Sequence, residues 1–424
     1  MIKILRTSET SAEELFERTT QTADVSEVVR DIIETVRCDG DKALIAYTEK
    51  FDRAKLTSLE VSEEELEEAF NAVDPKFLEI MNEAAENIRN FHKNQVRSGF
   101  VMSEKAGIVM GQKVLPLEKV GIYVPAGTAA LPSTVLMNAI PARLAGCREI
   151  VMVTPCGADG KVMAEMLAAA KIAGVSRIFK VGGAQAVAAL AYGTESVPQV
   201  DKIVGPGNQY VAEAKRQVFG RVAVDMIAGP SEILIIADEN ANPKFLAADL
   251  LSQAEHDRLA TAVLITDCEE LAGKVAEELE IQLKLLPREE IARASIERNG
   301  KIIIAESIAE AIELSNEIAP EHLEICTDNP FDYLADIKNA GSIFLGNNCP
   351  EPLGDYFAGP NHTLPTSGTA RFSSPLSVDD FVKKSQFTYY TAEAFAEVAE
   401  KVAAFAEKES LGAHAKSALV RIDK

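Results

Sequence analysis

Short β-rich runs alternate with Ala-rich helical stretches through much of the chain, and this alternation limits the fold more than any other feature. The first series occupies residues 121–124, 134–144, 149–153, 162–173, 177–181, 185–191, 202–204 and 209–218. Strands that alternate with helices of this length predict a parallel sheet joined by right-handed crossovers. We therefore expect a doubly wound α/β domain in the first half of the chain.

A second series begins after Gly229-Pro230-Ser231 and predicts a second domain of the same kind. Its strands are predicted at 232–236, 261–266, 301–304 and near 341–345, with helices at 243–255, 269–280, 288–296 and 306–317. Gly and Pro are the strongest local breakers of regular structure. The Gly229-Pro230 step is therefore the predicted hinge between the two domains.

The two ends of the chain have a different pattern. Residues 1–73 are acidic and predict amphipathic helices that act as a packing arm. The last 45 or so residues predict two helices, the second of them short and after Ser410. The first carries an apolar stripe formed by Phe395, Val398, Val402 and Phe405. We predict an N-terminal arm over 1–20, a first α/β domain over 21–230, a second over 231–376 and a small C-terminal tail domain over 377–424.

Composition narrows the class of protein. A chain of 424 residues with a net charge of −22 and no Lys/Arg-rich block argues against nucleic-acid or anionic-membrane partners and favours a soluble enzyme that acts on small molecules. The N-terminus turns acidic before a signal-peptide core could form, and no apolar run has membrane-spanning length, so we predict a cytoplasmic protein. Six cysteines show neither close pairing nor metal-box spacing, which predicts reduced, structural thiols.

The histidines are distributed unevenly. Four of the five, His256, His322, His362 and His414, lie in the second half of the chain beside Glu, Asp, Asn or Gly. This distribution predicts one polar site assembled from distant segments. The fifth, His92, lies at the edge of an apolar helical stripe and is predicted to be structural.

Gln253 and His256 lie three residues apart near the end of a predicted helix, so both point the same way. Both side chains can bind a metal ion. A histidine with a neighbouring amide is also common as an ordinary surface or core pair, so the spacing alone leaves both interpretations open.

Three glycine-containing turns follow strands of the first series, and no Gly-x-Gly-x-x-Gly fingerprint is present. In an open parallel sheet, ligands bind outside the carboxyl ends of the strands, where such turns let the backbone approach a phosphate or ribose. Ordinary tight-turn chemistry explains the same glycines equally well. The turns are Tyr123-Val124-Pro125-Ala126-Gly127, Gly182-Gly183-Ala184-Gln185 and Gly205-Pro206-Gly207-Asn208.

With other segments, these turns resemble the histidinol dehydrogenase family over almost the whole chain. The further matching segments are Pro116 to Val120, Ala214-Lys215-Arg216, Ala228 to Glu232, Ser252 to Asp257, Ala319 to Leu323, Gly354 to His362, Ser367 to Phe372, and Glu409 with His414. The sequence departs from the family pattern at Ala126, where the family usually has Gly and a methyl group would crowd a cofactor turn.

The resemblance implies two incomplete Rossmann-like domains similar to those of aldehyde dehydrogenases. It implies an NAD-dependent enzyme with one Zn²⁺ per subunit, which oxidises L-histidinol through L-histidinaldehyde to L-histidine in the last step of histidine biosynthesis. It further implies a homodimer whose C-terminal tails are exchanged, so that Glu409 and His414 complete the site of the partner chain.

The resemblance also implies roles for individual residues. The acid/base pair would be Glu321 and His322, because alcohol oxidation needs a base for the hydroxyl proton and water must then add to the aldehyde. The zinc ligands would be Gln253, His256, Asp355 and His414. These four and His322 would contact the substrate, together with Ser231, His362 and Glu409. Tyr123, Gln185 and Asn208 would contact NAD.

Three other functions are compatible with parts of the sequence. A zinc hydrolase would use the same ligands with Glu321 as general base and would bind no dinucleotide. An aldehyde dehydrogenase relative would need a cysteine nucleophile, and no cysteine lies among the acid, histidine and glycine motifs. A non-catalytic binding protein would not need the Glu321-His322 pair.

Overall fold

The structure of the protein is a computed structural model that describes residues 2–18, 24–126 and 130–423. Gly127 of the first glycine turn and the predicted boundary between residues 20 and 21 lie outside these residues. The described residues form fourteen strands: β1 (Lys3–Arg6), β2 (Phe100–Met102), β3 (Ile108–Pro116), β4 (Lys119–Tyr123), β5 (Glu149–Thr154), β6 (Arg177–Lys180), β7 (Lys202–Val204), β8 (Ala223–Val224), β9 (Glu232–Ala237), β10 (Thr261–Thr266), β11 (Lys301–Ile304), β12 (His322–Cys326), β13 (Ser342–Leu345) and β14 (Val382–Tyr390).

The same residues form seventeen α-helices, none of them long and apolar enough to cross a membrane. They are α1 (Ala12–Phe16), α2 (Ser26–Asp39), α3 (Asp41–Asp52), α4 (Glu63–Ala72), α5 (Pro75–His92), α6 (Pro132–Ala145), α7 (Ala164–Ala173), α8 (Gly183–Tyr192), α9 (Gln209–Val218), α10 (Pro243–Ala254), α11 (Glu269–Leu283), α12 (Glu289–Asn299), α13 (Ile308–Ile318), α14 (Glu351–Tyr356), α15 (Ala392–Ala396), α16 (Ala399–Lys408) and α17 (Gly412–Leu419).

The chain divides into two compact units. The first contains Met1–Gln95 and Leu117–Phe381, and the second contains Val96–Pro116 and Val382–Lys424.

The first sheet of the larger unit is parallel, with strand order β6-β5-β4-β7-β8. One apolar core lies under α5, α6 and α7, and a second lies on the other face under α2, α8 and α9. Helices on both faces confirm the predicted doubly wound fold. The chain order reverses between β4 and β7, where an open α/β sheet commonly binds its ligand.

The second sheet is also parallel, with strand order β1-β11-β10-β9-β12-β13. Its helices α10, α11 and α12 cover one face, while α13 and α1 cover the other. The expectation of helix throughout residues 1–73 is wrong at Lys3–Arg6, which pairs with β11 as an edge strand. Four residues are too few to carry a helical or strand period, so pairing with a distant strand decides their conformation.

The smaller unit contains an antiparallel sheet, β14-β3-β2, and the helices α15, α16 and α17. Sequence patterns did not predict these strands, because β14 is largely exposed and shows no clean alternation of buried and exposed residues. The single tail helix predicted around Phe395 to Phe405 is two helices, α15 and α16. Within the unit, Ala403, Ala406 and Ala415 form a small core, whereas Val402 and Phe405 are exposed.

Candidate active site

The candidate site lies where two central strands of the second sheet begin. The strand β12 starts at His322 and pairs with β9, which starts at Glu232. A tight connection leads from α13 into β12, since Ala319 caps the helix in the left-handed conformation with φ of 51°. A non-glycine residue is uncommon in this region, so the conformation is specified by its surroundings. The strand β12 was missing from the predicted elements, although its first residue was selected for the site.

One hydrogen bond orients His322. The ring is 3% exposed, and its Nδ1 atom lies 2.9 Å from the backbone oxygen of Glu232. A carbonyl oxygen can only accept, so Nδ1 carries the proton and the neutral ring has its lone pair on Nε2. The Nε2 atom is buried without a hydrogen-bond partner among the described residues.

Two carboxylates of α14 face this nitrogen. The Nε2 atom of His322 lies 3.7 Å from Glu351 Oε1 and 3.9 Å from Asp355 Oδ1. Glu351 and Asp355 are four residues apart on a helix, so they share a face. His322, Glu351 and Asp355 each offer one ligand atom within 4.8 Å of the others, which defines a candidate metal cluster. The predicted ligand Asp355 therefore lies beside the predicted base.

The carboxylates control the charge on the histidine. Burial opposes protonation of His322, but Glu321, Asp355 and Glu351 together outweigh it and raise the pKa of the ring to about 10. Burial, reinforced by the charge of Asp355, raises the pKa of Glu351 to about 7. Burial works against ionisation of Asp355, yet the histidine rings of His322 and His362 outweigh it and hold its pKa at about 2.

His362 also belongs to this cluster. Its Nδ1 atom donates to the backbone oxygen of Asp355 at 3.0 Å and lies 3.9 Å from the Asp355 carboxylate. Burial lowers the pKa of His362, which favours the neutral ring.

Glu321 lies on the opposite side of the ring. Its Oε2 atom accepts the N–H of Glu232 at 2.9 Å and is 3.7 Å from His322 Nδ1. Burial raises the pKa of Glu321 to about 8. The neighbouring Glu232 carboxylate, also buried, pairs with Arg18 at 3.1 Å. Glu321 and His322 were both predicted as site residues. In the structure, hydrogen bonds to the backbone of Glu232 fix both side chains.

The helix α10 ends at the remaining part of the cluster. Gln253 is 1% exposed, and both atoms of its amide lack a hydrogen-bond partner among the described residues. His256 follows just beyond the helix and is exposed. Desolvation lowers the pKa of His256, and the nearby Asp355 carboxylate raises it. The predicted ligands His256 and Asp355 therefore lie close together.

The other predicted residues are placed as follows. Ser231 directly precedes β9, and its carbonyl oxygen accepts the N–H of Thr261 at 3.0 Å. Glu409 and His414 belong to the smaller unit, at the end of α16 and within α17, and both are exposed. Their roles stay predictions. His92 is fully buried with its Nδ1 atom 2.7 Å from Gln95, which confirms the structural interpretation.

Sequence reasoning missed Glu351, Glu232 and Arg18. A usable signal existed for Glu351, because it precedes Asp355 by one helical turn. Glu232 ends a segment that resembles the family, but no local pattern predicts a role for its carboxyl group. Nothing local connects Arg18 with a strand more than two hundred residues away.

The predicted NAD contacts lie at the carboxyl ends of the first sheet. Tyr123 ends β4, and its hydroxyl oxygen accepts the N–H of Gly183 at 3.1 Å. Gln185 is buried in the first turn of α8. Asn208 caps α9 by accepting from the N–H groups of Tyr210 and Val211.

A buried ion pair holds the turn after β7. Gly205 has φ of 109°. A Cβ atom there would lie 2.1 Å from the backbone oxygen of Tyr123, so only glycine fits. Lys215 donates to the Gly205 oxygen at 3.0 Å and to Asp225, which in turn accepts the Gly205 N–H at 2.8 Å. The pair therefore fixes both polar groups of the glycine.

All six cysteines are free, and three of them, Cys147, Cys156 and Cys326, are buried. Burial of these three fits the expected structural role, whereas Cys38 is exposed.

Comparison with known proteins identifies the family. The family model for histidinol dehydrogenase matches residues 16–422. A histidinol dehydrogenase from Clostridium acetobutylicum is 58% identical over 401 residues, covering 95% of this chain and 93% of the relative. One from Bacillus cereus is 57% identical over 423 residues, covering 100% and 96%. The crystal structure of the Elizabethkingia anophelis histidinol dehydrogenase has a TM-score of 0.94 and 41% identity and covers 99% of this chain and 98% of its own.

The two doubly wound sheets and the buried histidine–carboxylate site are features of an α/β enzyme. The comparisons with its relatives show that it is an oxidoreductase. The chain belongs to the histidinol dehydrogenase family.

Proposed function

We propose that this protein catalyses the zinc- and NAD-dependent oxidation of L-histidinol through L-histidinaldehyde to L-histidine, as the last step of histidine biosynthesis. One observation carries the proposal: the buried His322 ring turns a free Nε2 atom toward two carboxylates, Glu351 and Asp355. An oriented base beside metal-binding carboxylates is what the oxidation of a metal-held alcohol requires.

The proposed zinc ligands are Gln253, His256, Asp355 and the partner's His414, with one ion per subunit. The residues fit this metal, since the buried amide of Gln253 makes no hydrogen bond of normal geometry among the described residues and lies beside the Glu351 carboxyl group, which also neighbours Asp355. Imidazole, carboxylate and amide donors suit Zn²⁺, and a set without thiolate is typical of open sites rather than closed structural ones. When bound, zinc would supply the positive charge that orients the amino and imidazole nitrogen atoms of histidinol.

His322 would take the hydroxyl proton in both oxidations. Because Nδ1 donates to the Glu232 carbonyl, the proton is accepted at Nε2. The carboxylates around the ring, outweighing burial, raise its pKa to about 10, which is too high for a base near neutral pH. Cations bound beside the same carboxylates would lower that pKa.

Glu321 would activate the water that adds to the aldehyde. The N–H of Glu232 fixes one of its oxygen atoms, and burial raises its pKa to about 8, close to the value at which a general base works best near neutral pH. His322 would then remove the proton of the resulting hydrate as the second hydride leaves. Each hydride would be accepted by one NAD molecule.

Tyr123, Gln185 and Asn208 would contact NAD. They lie at the carboxyl ends of strands, around the position where the order of the first sheet reverses. A cavity of about 490 Å³ opens beside the ends of β4 and β5 and is lined in part by Ala126 and Cys156. Tyr123, Gln185 and Asn208 do not line this cavity.

Ser231, His362 and the partner's Glu409 would contact the substrate, and a carboxylate such as Glu409 suits a cationic amino alcohol. We propose a cytoplasmic homodimer with exchanged C-terminal tails. The exposed Val402 and Phe405 support a partner surface, because burying each such side chain stabilises an assembly by roughly 1.5–3 kcal/mol.

Two matched histidine variants test the proposal. His256→Asn should lower the zinc content of the purified protein and stop the formation of NADH from L-histidinol and NAD, because a ligand is lost. His92→Asn should retain both, since that ring is structural. Equal zinc content in the two variants would overturn the ligand set, and a parent protein that holds zinc but forms no NADH would point to a hydrolase.

A further inference from the structure

The carboxyl group of Glu324 lies beneath the site and has none of the roles described above. It points to the same face of β12 as His322, because side chains two residues apart in a strand share a face. That face packs on the apolar side of α10, and Glu324 is 1% exposed. A polar group buried in such surroundings is costly unless it is hydrogen-bonded, so its partner indicates its role.

Glu324 interacts with the Asp249 carboxyl group of α10 and with the Cys326 thiol, which lies 3.9 Å from its Oε2 atom. Its other oxygen atom, Oε1, binds the backbone of α14. The N–H of Glu351, the first residue of that helix, donates to Glu324 Oε1 at 2.8 Å. The preceding N-cap residue is Pro350, which makes no side-chain cap hydrogen bond. The first N–H groups of a helix have no partner within the helix. Glu324 therefore supplies, from the neighbouring strand, the cap that Pro350 cannot provide.

The same helix carries both carboxylates that face His322. Glu351 and Asp355 lie one turn apart, and Glu351 is also held from α10, where Ser252 donates to its Oε2 atom at 3.1 Å. The beginning of α14 is thus tied to both β12 and α10. A displacement of that end would move Asp355 relative to His322 and to the end of α10.

We propose that Glu324 is a positioning residue: by accepting the N–H of Glu351 it fixes the start of α14 and holds Asp355 in place for the metal. This inference rests on the proposed function, in which Asp355 is a zinc ligand. Groups that hold metal ligands from behind typically change metal affinity or activity by about 10- to 100-fold when they are replaced.

Three variants separate this role from general loosening of the strand. Glu324→Ala removes the acceptor. Glu324→Gln keeps an oxygen atom at the same reach, and it resembles the native group because burial, reinforced by Asp249, raises the pKa of Glu324 well above its ordinary value. Ile325→Ala is the matched control, because it removes a buried side chain from the opposite face of β12 and leaves the Glu324 carboxyl group and the Glu351 N–H as they are.

The experiment measures zinc affinity by competition with a chromophoric chelator on the full-length proteins, and then kcat and KM for L-histidinol. We expect Glu324→Ala to bind zinc about tenfold or more weakly and to lose kcat in proportion. Glu324→Gln and Ile325→Ala should stay close to the parent in both measurements. If the site instead needed a negative charge at position 324, Glu324→Gln would lose zinc affinity as Glu324→Ala does.

Parent-like zinc affinity in Glu324→Ala would overturn the role of Glu324. Equal losses in Glu324→Ala and Glu324→Gln, or an equal loss in Ile325→Ala, would overturn it as well. If Glu324→Ala does not fold, Glu324→Asp replaces it, because the shorter side chain cannot reach the N–H of Glu351. Parent-like zinc affinity in Glu324→Asp would contradict the proposal. A parent protein that neither binds zinc nor forms NADH would overturn the proposed function and this inference with it.

Discussion

The hydrogen bond from His322 Nδ1 to the Glu232 carbonyl determines which atom of the ring can do chemistry. It directs the free nitrogen toward Glu351 and Asp355 and leaves Glu321 on the other side. In the proposed acid/base pair, Glu321 therefore lies toward Nδ1, only 3.7 Å away, whereas the base is the Nε2 atom on the other side of the ring. Different positions around the ring allow each group to serve a different step.

Replacing Glu321 by Gln tests that separation. The variant should bind zinc and L-histidinol normally but oxidise L-histidinaldehyde about 10²- to 10⁴-fold more slowly, because water activation is lost. His322→Asn should instead slow both hydride steps. Rates of NADH formation measured separately from alcohol and aldehyde decide the matter, and unchanged aldehyde oxidation in Glu321→Gln would remove Glu321 from the mechanism.

The raised pKa of Glu321 also predicts a pH dependence of stability in the metal-free protein. Its ordinary pKa of 4.5 in the unfolded chain rises to about 8 in the folded protein through burial, so the folded state holds the proton more tightly. Stability from this group is complete below pH 4.5 and is lost as the pH rises toward 8. The free energy of unfolding of the parent should fall relative to Glu321→Gln by up to about 1.4 kcal/mol per pH unit in that window. Denaturant titrations of both proteins at several pH values measure the difference, and parallel pH profiles would contradict it.

The sequence was informative for residues that lie close together along the chain. Glu321 and His322 are adjacent, and Gln253 and His256 are three residues apart at the end of α10. The structure brings Asp355 and His362 to them. The Arg18–Glu232 pair was not predictable, because it depends on how the N-terminal segment folds back onto β9. A buried pair between distant segments has no local pattern.

At the scale of elements, the turn after β7 shows how secondary structure prepares a binding surface. Lys215 on α9 and Asp225 after β8 are both buried and together satisfy the N–H and the carbonyl of Gly205. The Ala214-Lys215-Arg216 segment resembles the family, but its sequence alone does not indicate a role. In the structure, Lys215 supports the turn that ends at Asn208.

Replacing Lys215 by Met should weaken NAD binding through that turn. The change leaves the Asp225 charge buried and unpaired, which should lower the free energy of unfolding by about 3–5 kcal/mol. The KM for NAD should rise while zinc affinity stays unchanged, because the metal site belongs to the other sheet. Lys202→Met is the control, since its partner Asp380 is partly exposed and the pair does not touch Gly205. Equal rises in the KM for NAD would refute the role of Lys215.

Helices and strands were predictable where the pattern of apolar residues along the chain was clear. The helices and strands between residues 232 and 304 match their predicted ranges closely, because both faces of this sheet are buried and its strands are continuously apolar. The strands β3 and β14 were not, because their pairing joins residues far apart in sequence and both carry many exposed side chains. Such strands are specified by pairing rather than by local composition.

At the scale of the whole molecule, the proposed exchange of C-terminal tails between subunits has the widest consequences. The described tail exposes Val402 and Phe405 and carries Glu409 and His414 on its surface. Its own core consists of a few alanines, which is little apolar surface for independent stability. Docking onto a partner subunit would provide the missing burial and would deliver both polar residues to that subunit's site.

Mixed dimers test the exchange. His322→Asn and His414→Asn should each be inactive, yet the two unfolded together and refolded should regain activity, because one site of each heterodimer collects both lesions and the other site neither. Random pairing of equal amounts should leave about a quarter of all sites intact. Dimers that form without activity above either parent would show that each tail completes the site of its own chain.

The most direct measurement is the number of NADH molecules formed per molecule of L-histidinol consumed by the zinc-loaded enzyme in excess NAD. Because the proposed reaction removes two hydrides in succession, with His322 as the base in both, we expect two NADH and one L-histidine for each L-histidinol. A yield of one NADH with accumulation of L-histidinaldehyde, or no NADH at all, would contradict the account.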